Sequence, residues 1–170
     1  MTRFGVRVTL VDSGPRLLGK EEPSIAEVLA QVLRDEGVSV RLGVEVERFE
    51  PGADGAAVAH LSDGTRVEAD RVLIAVGRRP TTDGLGLENT RVQVEKGFVR
   101  VDGAYRTGEP TVYAVGDAIG GLLLAHVAAA EGFLAAEAIA GRETRPLDYS
   151  RAPRVTYSRP QVAAVGLTEQ

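Results

Sequence analysis

The chain has 170 residues, 44% apolar and 26% charged, a balance that supports a packed core and excludes a disordered chain. Its net charge of −4, with the basic residues scattered, provides no basic face for nucleic acid or an anionic membrane. Cysteine is absent and histidine occurs twice, which excludes a disulfide framework and thiolate chemistry and leaves little to hold a metal.

The opening MTRFGVRVTLVD lacks the basic start, apolar stretch and small-residue cleavage site of a signal peptide. The longest apolar run, residues 120–130, is interrupted by His126 and is too short for a bilayer. A soluble cytoplasmic α/β protein is expected.

In chain order, residues 1–4 read as a helix tail, because Gly5 suits the position just past a helix end. Residues 6–11 alternate and are β-branched, which predicts a strand. Pro23 then opens a helix. Ile25, Val28, Leu29, Val32 and Leu33 give it an apolar stripe at helical spacing, and Gly37 closes it. Residues 38–42 follow as a strand, so the order strand–helix–strand implies parallel pairing.

Over residues 44–67 the period changes. Asp54-Gly55 and Asp63-Gly64 are tight-turn pairs, and they predict a small antiparallel meander. Residues 72–76 are apolar throughout, as in a strand covered on both faces. Gly77 ends that run and Arg78-Arg79-Pro80 turns the chain away.

Residues 81–95 read as loop-rich, 98–101 as a strand, and 111–115 as a near-continuous strand ending in Gly116-Asp117. An Ala-rich helix is expected from about residue 122 to 140, stopped by Gly141. Residues 154–157 and 162–165 are further strand candidates, and Thr168-Glu169-Gln170 reads as the start of another helix. Both ends interrupt a structural unit, so the expectation is an internal piece of a longer protein.

Asp12 ends the first strand. In a doubly wound nucleotide-binding fold an acid there accepts from adenosine ribose hydroxyls and repels a 2′-phosphate, which points to NAD; a plain strand-end Asp has the same local sequence. Gly77 stands where open α/β sheets bind ligands, and it serves equally as a turn glycine. Val46 is either a ligand contact or a meander residue facing the core.

Gly116-Asp117, Gly120-Gly121 and the helix after them form a more informative group. A carboxylate is presented at a strand end, and a helix start follows with free N–H groups that favour phosphate. His126, about one turn into that helix, has no nucleophile to act with. Glu131 has no evident partner, and Arg78-Arg79 reads as a solvated turn rather than a phosphate clamp.

VTLVD at 8–12, DRVLIAVGRRP at 70–80, VYAVGDAIGGLLLAH at 112–126 and PRVTYSRPQVAAVGLTE at 153–169 together resemble the pyridine nucleotide–disulfide oxidoreductases, in that family's order and over essentially the whole chain. Within the family the Leu124-Ala125-His126 step and Val155 to Pro160 are most like the dihydrolipoamide dehydrogenase type. The resemblance implies an α/β fold comprising parts of two doubly wound, Rossmann-like domains with parallel sheets and a meander, plus the start of an α+β dimer-interface domain. Residues 1–77 would be the later part of the NAD-binding domain, 78–147 the returning FAD-domain segment, and 148–170 the start of the dimerisation domain.

The same resemblance makes Asp12, Val46 and Gly77 NAD contacts. Gly116 and Asp117 would hold the flavin ribitol or pyrophosphate region, with Leu123, Leu124, Ala125 and His126 lining the flavin. It implies FAD and NAD as cofactors, a homodimer when intact, and a lipoyl-bearing acyltransferase of a 2-oxo acid dehydrogenase complex as partner. The family's redox cysteine pair, both glycine fingerprints and its His–Glu pair are absent from these residues, so the isolated chain is expected to be inactive and to bind FAD poorly. A flavoprotein NAD(P)H reductase or oxidase of the same fold, and a non-catalytic nucleotide-binding module, remain alternatives.

Overall fold

A computed structural model describes residues 1–168 of the chain, so the helix start expected at Thr168-Glu169-Gln170 falls largely outside the described residues. The chain divides into two compact units, one formed by residues 1–75 and 155 onward, the other by residues 76–154.

The first unit begins with a single 3-10 turn, Thr2–Phe4, ended by Gly5 at φ 76°, the helix-tail geometry expected there. Strand β1 (Thr9–Asp12), helix α1 (Pro23–Asp35) and strand β2 (Ser39–Leu42) form the expected βαβ unit. The strands pair in parallel from Thr9 opposite Ser39 to Asp12 opposite Leu42. Pro23 sits in the first turn of α1, where its missing N–H costs nothing.

Helix α1 buries a different stripe from the one expected. Ala26, Leu29 and Ala30 are buried, with Leu33 half-buried beside them, whereas Ile25 and Val28 are exposed. The two alanines explain the rotation: small side chains let a helix approach a sheet closely. Leu17, Leu29, Ala30 and Val162 form the core, flanked by Leu10, Val40 and Leu42. Burying a leucine of this kind contributes about 2 kcal/mol.

The meander forms as expected from β3 (Val46–Pro51), β4 (Ala57–Leu61) and β5 (Arg66–Ala69), all antiparallel. At the first turn Asp54 (φ 51°) and Gly55 (φ 78°) both take positive φ, the tight-hairpin geometry their identities favour. At the second, the Asp63 carboxylate accepts from the Thr65 hydroxyl (2.6 Å) and amide (2.9 Å). Those two bonds, the hydroxyl first, hold its pKa below the usual value.

Two expected strands do not form. Residues 72–76 carry no ladder, and Leu73, Ile74 and Val76 are exposed. Residues 111–115 contribute only an isolated antiparallel bridge between Tyr113 and Arg106. An apolar run becomes a strand only when a neighbour completes its hydrogen bonds; the described residues supply no ladder for 72–76, and for 111–115 only the bonds around one bridge, Thr107 N–H to the Val112 carbonyl and Ala114 N–H to the Tyr105 carbonyl. Asp12 therefore does end a strand, though a half-buried one, while Asp117 follows an extended segment held by a single bridge.

In the second unit β6 (Val94–Glu95) and β7 (Phe98–Val99) make a short hairpin, so the strand expected over 98–101 is shorter. Helix α2 (Ala125–Ile139) starts later than expected because Leu123 takes φ 53°, incompatible with a right-handed helix. Its inward face is Val127, Glu131 and Ala135, four residues apart. In the first unit, strands β8 (Arg154–Thr156, which enters that unit at Val155) and β9 (Val162–Ala164) pair as a two-stranded sheet. No helix among the described residues is long and apolar enough to cross a membrane.

Candidate functional site

In the second unit the chain turns sharply at Gly116–Ile119, a single 3-10 turn. Gly116 has φ 71°, and a Cβ there would lie 3.0 Å from the Cβ of Ala128 on α2. Both facts demand glycine, the first for conformation and the second for close approach. Gly120 (φ 85°) is pressed against Phe98, whose ring would stand 3.1 Å from an added Cβ. The turn is thus clamped between α2 and the β6–β7 hairpin.

Asp117 leaves this turn as an exposed side chain. It lines an open cavity of about 130 Å³ together with Arg78, Arg79, Pro80, Phe98 and Leu123. Among the described residues nothing pairs with the Asp117 carboxylate, and no side chain caps the start of α2. A carboxylate and two guanidinium groups suit a ligand with hydroxyl and phosphate groups. The cavity has room for one segment of a dinucleotide, since whole cofactor sites are several hundred Å³. Arg78 and Arg79, expected to form only a solvated turn, line this cavity.

The remaining residues expected on this side follow the turn. Leu123 lines the cavity, Leu124 precedes α2, and Ala125 is its first residue. The His126 ring is exposed and its Nε2 lies 2.9 Å from the Pro153 carbonyl oxygen, so that nitrogen carries the proton as donor.

Sequence reasoning missed the group beneath the turn. Glu131, 2% exposed, accepts the Gly116 N–H on Oε2 at 2.6 Å and the Tyr149 hydroxyl on Oε1 at 2.8 Å. The Tyr149 hydroxyl is also 3.3 Å from that of Tyr105, which is 4% exposed. Burial, then these two neighbours, push the Tyr149 phenol well above its usual pKa, so it stays a donor. The available signal was a lone carboxylate on the face otherwise made by Val127 and Ala135.

In the first unit, Asp12 closes β1 at the carboxyl end of the parallel pair. Its Oδ1 accepts the Gly14 N–H at 2.7 Å, and a Cβ on Gly14 would stand 3.1 Å from that oxygen. The Asp12 carbonyl takes the Val44 N–H at 3.3 Å, which brings the approach to β3 alongside. Val46 opens β3 and is 38% exposed. Gly77 belongs to the other unit; its φ is 127° and an added Cβ would meet nothing within 4 Å. Among the described residues no cluster of three or more His, Cys, Asp or Glu could hold a metal ion.

Known proteins resemble the chain over nearly its whole length. The family model described as pyridine nucleotide-disulphide oxidoreductase matches residues 1–132. The dihydrolipoyl dehydrogenase of Chlorobaculum tepidum is 40% identical over 99% of this chain and 36% of its own length. That of Bacillus subtilis is 38% identical over 98% of the chain and 36% of its own. Among solved structures, LpdA from Mycobacterium tuberculosis superposes with a TM-score of 0.90 at 32% identity, covering 98% of this chain and 36% of that one. The HOCl-induced flavoprotein disulfide reductase RclA from Escherichia coli does so with a TM-score of 0.90 at 30% identity, covering 99% and 39%. The chain therefore spans little more than a third of the length of the relatives it matches.

Proposed function

The chain belongs to the pyridine nucleotide-disulphide oxidoreductases, and from that premise we propose that it is the cofactor-holding middle of a FAD-dependent, NAD-linked disulfide oxidoreductase that oxidises protein-bound dihydrolipoamide. The family works with FAD and NAD. On this reading residues 1–77 are the later part of the NAD-binding domain, 78–147 the returning FAD-domain segment, and 148–170 the start of a dimerisation domain.

The observation that carries the reading is the unpartnered Asp117 carboxylate, held by the Gly116 turn beside Arg78, Arg79 and Leu123. Asp117 accepts a ribitol hydroxyl, the two arginines balance diphosphate charge, and Leu123, Leu124, Ala125 and His126 line the ring system. Asp12, with Val46, takes the nicotinamide nucleotide, and its charge disfavours a 2′-phosphate. A bound flavin supplies two-electron transfer between a dithiol–disulfide pair and NAD⁺. In the intact protein that chemistry would convert a dithiol to a disulfide and NAD⁺ to NADH, with release of one proton. These residues contain no cysteine, so their part is binding, orientation and exclusion of water.

The similarity to dihydrolipoyl dehydrogenases supports a cytoplasmic homodimer that engages a lipoyl-bearing acyltransferase of a 2-oxo acid dehydrogenase complex. The similarity to RclA, a flavoprotein disulfide reductase, favours as second reading another flavoprotein reductase of the same fold.

The test uses the purified 170-residue chain. Added FAD is expected to bind weakly but saturably, read by flavin fluorescence, with no turnover of dihydrolipoamide and NAD⁺. Asp117→Ala is expected to abolish the binding. Equal binding by both forms would overturn the role of Asp117, and a tight stoichiometric yellow protein would overturn the expectation of weak binding.

A further inference from the structure

We propose that Glu131 is the positioning residue of the Gly116–Asp117 turn, a buried carboxylate that fixes the direction in which Asp117 meets its ligand. The proposal rests on the flavin reading for the identity of that ligand, and on geometry alone for the tether.

Glu131 is the sole buried acid among the described residues. A buried carboxylate is costly unless hydrogen bonds satisfy it, and an ionised one can only accept. Here each oxygen has one donor. Oε2 takes the Gly116 N–H at 2.6 Å and Oε1 takes the Tyr149 hydroxyl at 2.8 Å.

The position of the amide gives the bond its consequence. Gly116 sits at φ 71°, and its N–H has Glu131 as its acceptor rather than a helix or ladder carbonyl. Asp117 is the next residue, so fixing the plane of the peptide before Gly116, with the Ala128 methyl 3.0 Å from where a Cβ on Gly116 would stand, fixes the exit of the Asp117 side chain. Glu131 touches neither the cavity nor its ligand; it acts through Gly116.

Tyr149 extends the tether. It lies in a 3-10 turn, Tyr149–Arg151, that Asp148 caps by accepting the Ser150 N–H at 3.1 Å. The same segment reaches α2 a second time through the Pro153 carbonyl and His126. One helix thus carries the proposed flavin-lining residues at its start and, a turn later, the acid that holds the turn opposite, with residues 148–153 bracing both.

Amide NMR of the 15N-labelled chain, with FAD as the added probe, tests this. Glu131→Leu leaves the Gly116 N–H without its acceptor, and its exchange is expected to accelerate about tenfold or more. The Asp117 amide resonance should move, and its displacement by FAD should fall. Glu131→Gln keeps an oxygen for Gly116, while its NH₂ donates to a reversed Tyr149 hydroxyl. It should hold Gly116 exchange within about threefold of wild type and restore the FAD response. The weaker amide-oxygen acceptor should still move the Gly116 amide proton upfield, and that shift together with slow exchange is a combination general loosening would not give.

Unchanged Gly116 exchange in Glu131→Leu would overturn the proposal. If that variant does not fold, an unmoved Gly116 resonance in Glu131→Gln would overturn it instead. Asp117→Ala separates the two claims. It should abolish the FAD response while leaving Gly116 exchange slow. A FAD response that survives it sinks the flavin reading but not the tether.

Discussion

The Nε2 of His126 donates to the carbonyl of Pro153 across 2.9 Å, joining the first turn of α2 to the segment that follows it. The contact behaves as a fixed brace between the two segments. His126→Ala removes it at a cost of about 1 kcal/mol locally. Tryptic cleavage after Arg151 is expected to accelerate about fivefold while global stability changes little. Equal cleavage rates in both proteins would show that the contact carries no load.

The glycine at 116 is required twice over, and its neighbour at 121 only once. Gly121 also has positive φ, 81°, but an added Cβ would meet nothing within 4 Å. Gly116→Ala meets both strain and the Ala128 methyl. It should lose about 2–3 kcal/mol in urea unfolding, against about 1 kcal/mol for Gly121→Ala. Equal losses would mean that the approach of α2 to the turn relaxes freely.

On the meander, Arg48 donates to Glu50 at 2.6 Å, and His60 Nε2 stands 2.9 Å from the other carboxylate oxygen. Arg48 first, then His60, lower the Glu50 pKa from 4.5 to about 2. A depressed carboxyl stabilises the fold above its unfolded value and loses that contribution as pH falls through the folded one. The difference in urea midpoint between wild type and Glu50→Gln should therefore be constant above about pH 4.5 and shrink towards about pH 2. Because Asp63 and Asp148 are also depressed, the variant's own curve still falls and only the difference is diagnostic. A difference independent of pH would exclude Glu50 as its source.

What the sequence makes legible here is local. Asp54-Gly55 announces its turn because two successive positive φ values admit few other pairs. Gly116 and Asp117 are legible because a strand-like run, a glycine and an acid fall within a few residues. Residues 72–76 and 111–115 look like strands for the same local reason, yet pairing depends on a neighbour that apolar content does not specify. Glu131 was invisible because its partners lie 15 and 18 residues away and meet it only once α2 packs. Helix α1 shows the intermediate case. Its period was legible, but its buried stripe was set by how closely Ala26 and Ala30 let it approach the sheet.

Asp12 combines a local role with the proposed nucleotide role, and the two can be separated chemically. Its Oδ1 is committed to the Gly14 N–H at 2.7 Å, while Oδ2 has no partner among the described residues. Asp12→Asn keeps an acceptor oxygen for Gly14, so the turn after β1 survives, but it removes the charge that opposes a 2′-phosphate. Near a protein surface that charge is worth on the order of 1–4 kcal/mol against a close anion. Saturation-transfer NMR on the chain should show NAD⁺ preferred over NADP⁺ in the wild type. In Asp12→Asn the preference should shrink by about tenfold, the equivalent of about 1.4 kcal/mol. Asp12→Ala also deletes the acceptor and should disturb the Gly14 amide, which Asp12→Asn should not. A nucleotide preference that is the same in wild type and Asp12→Asn would confine Asp12 to its turn.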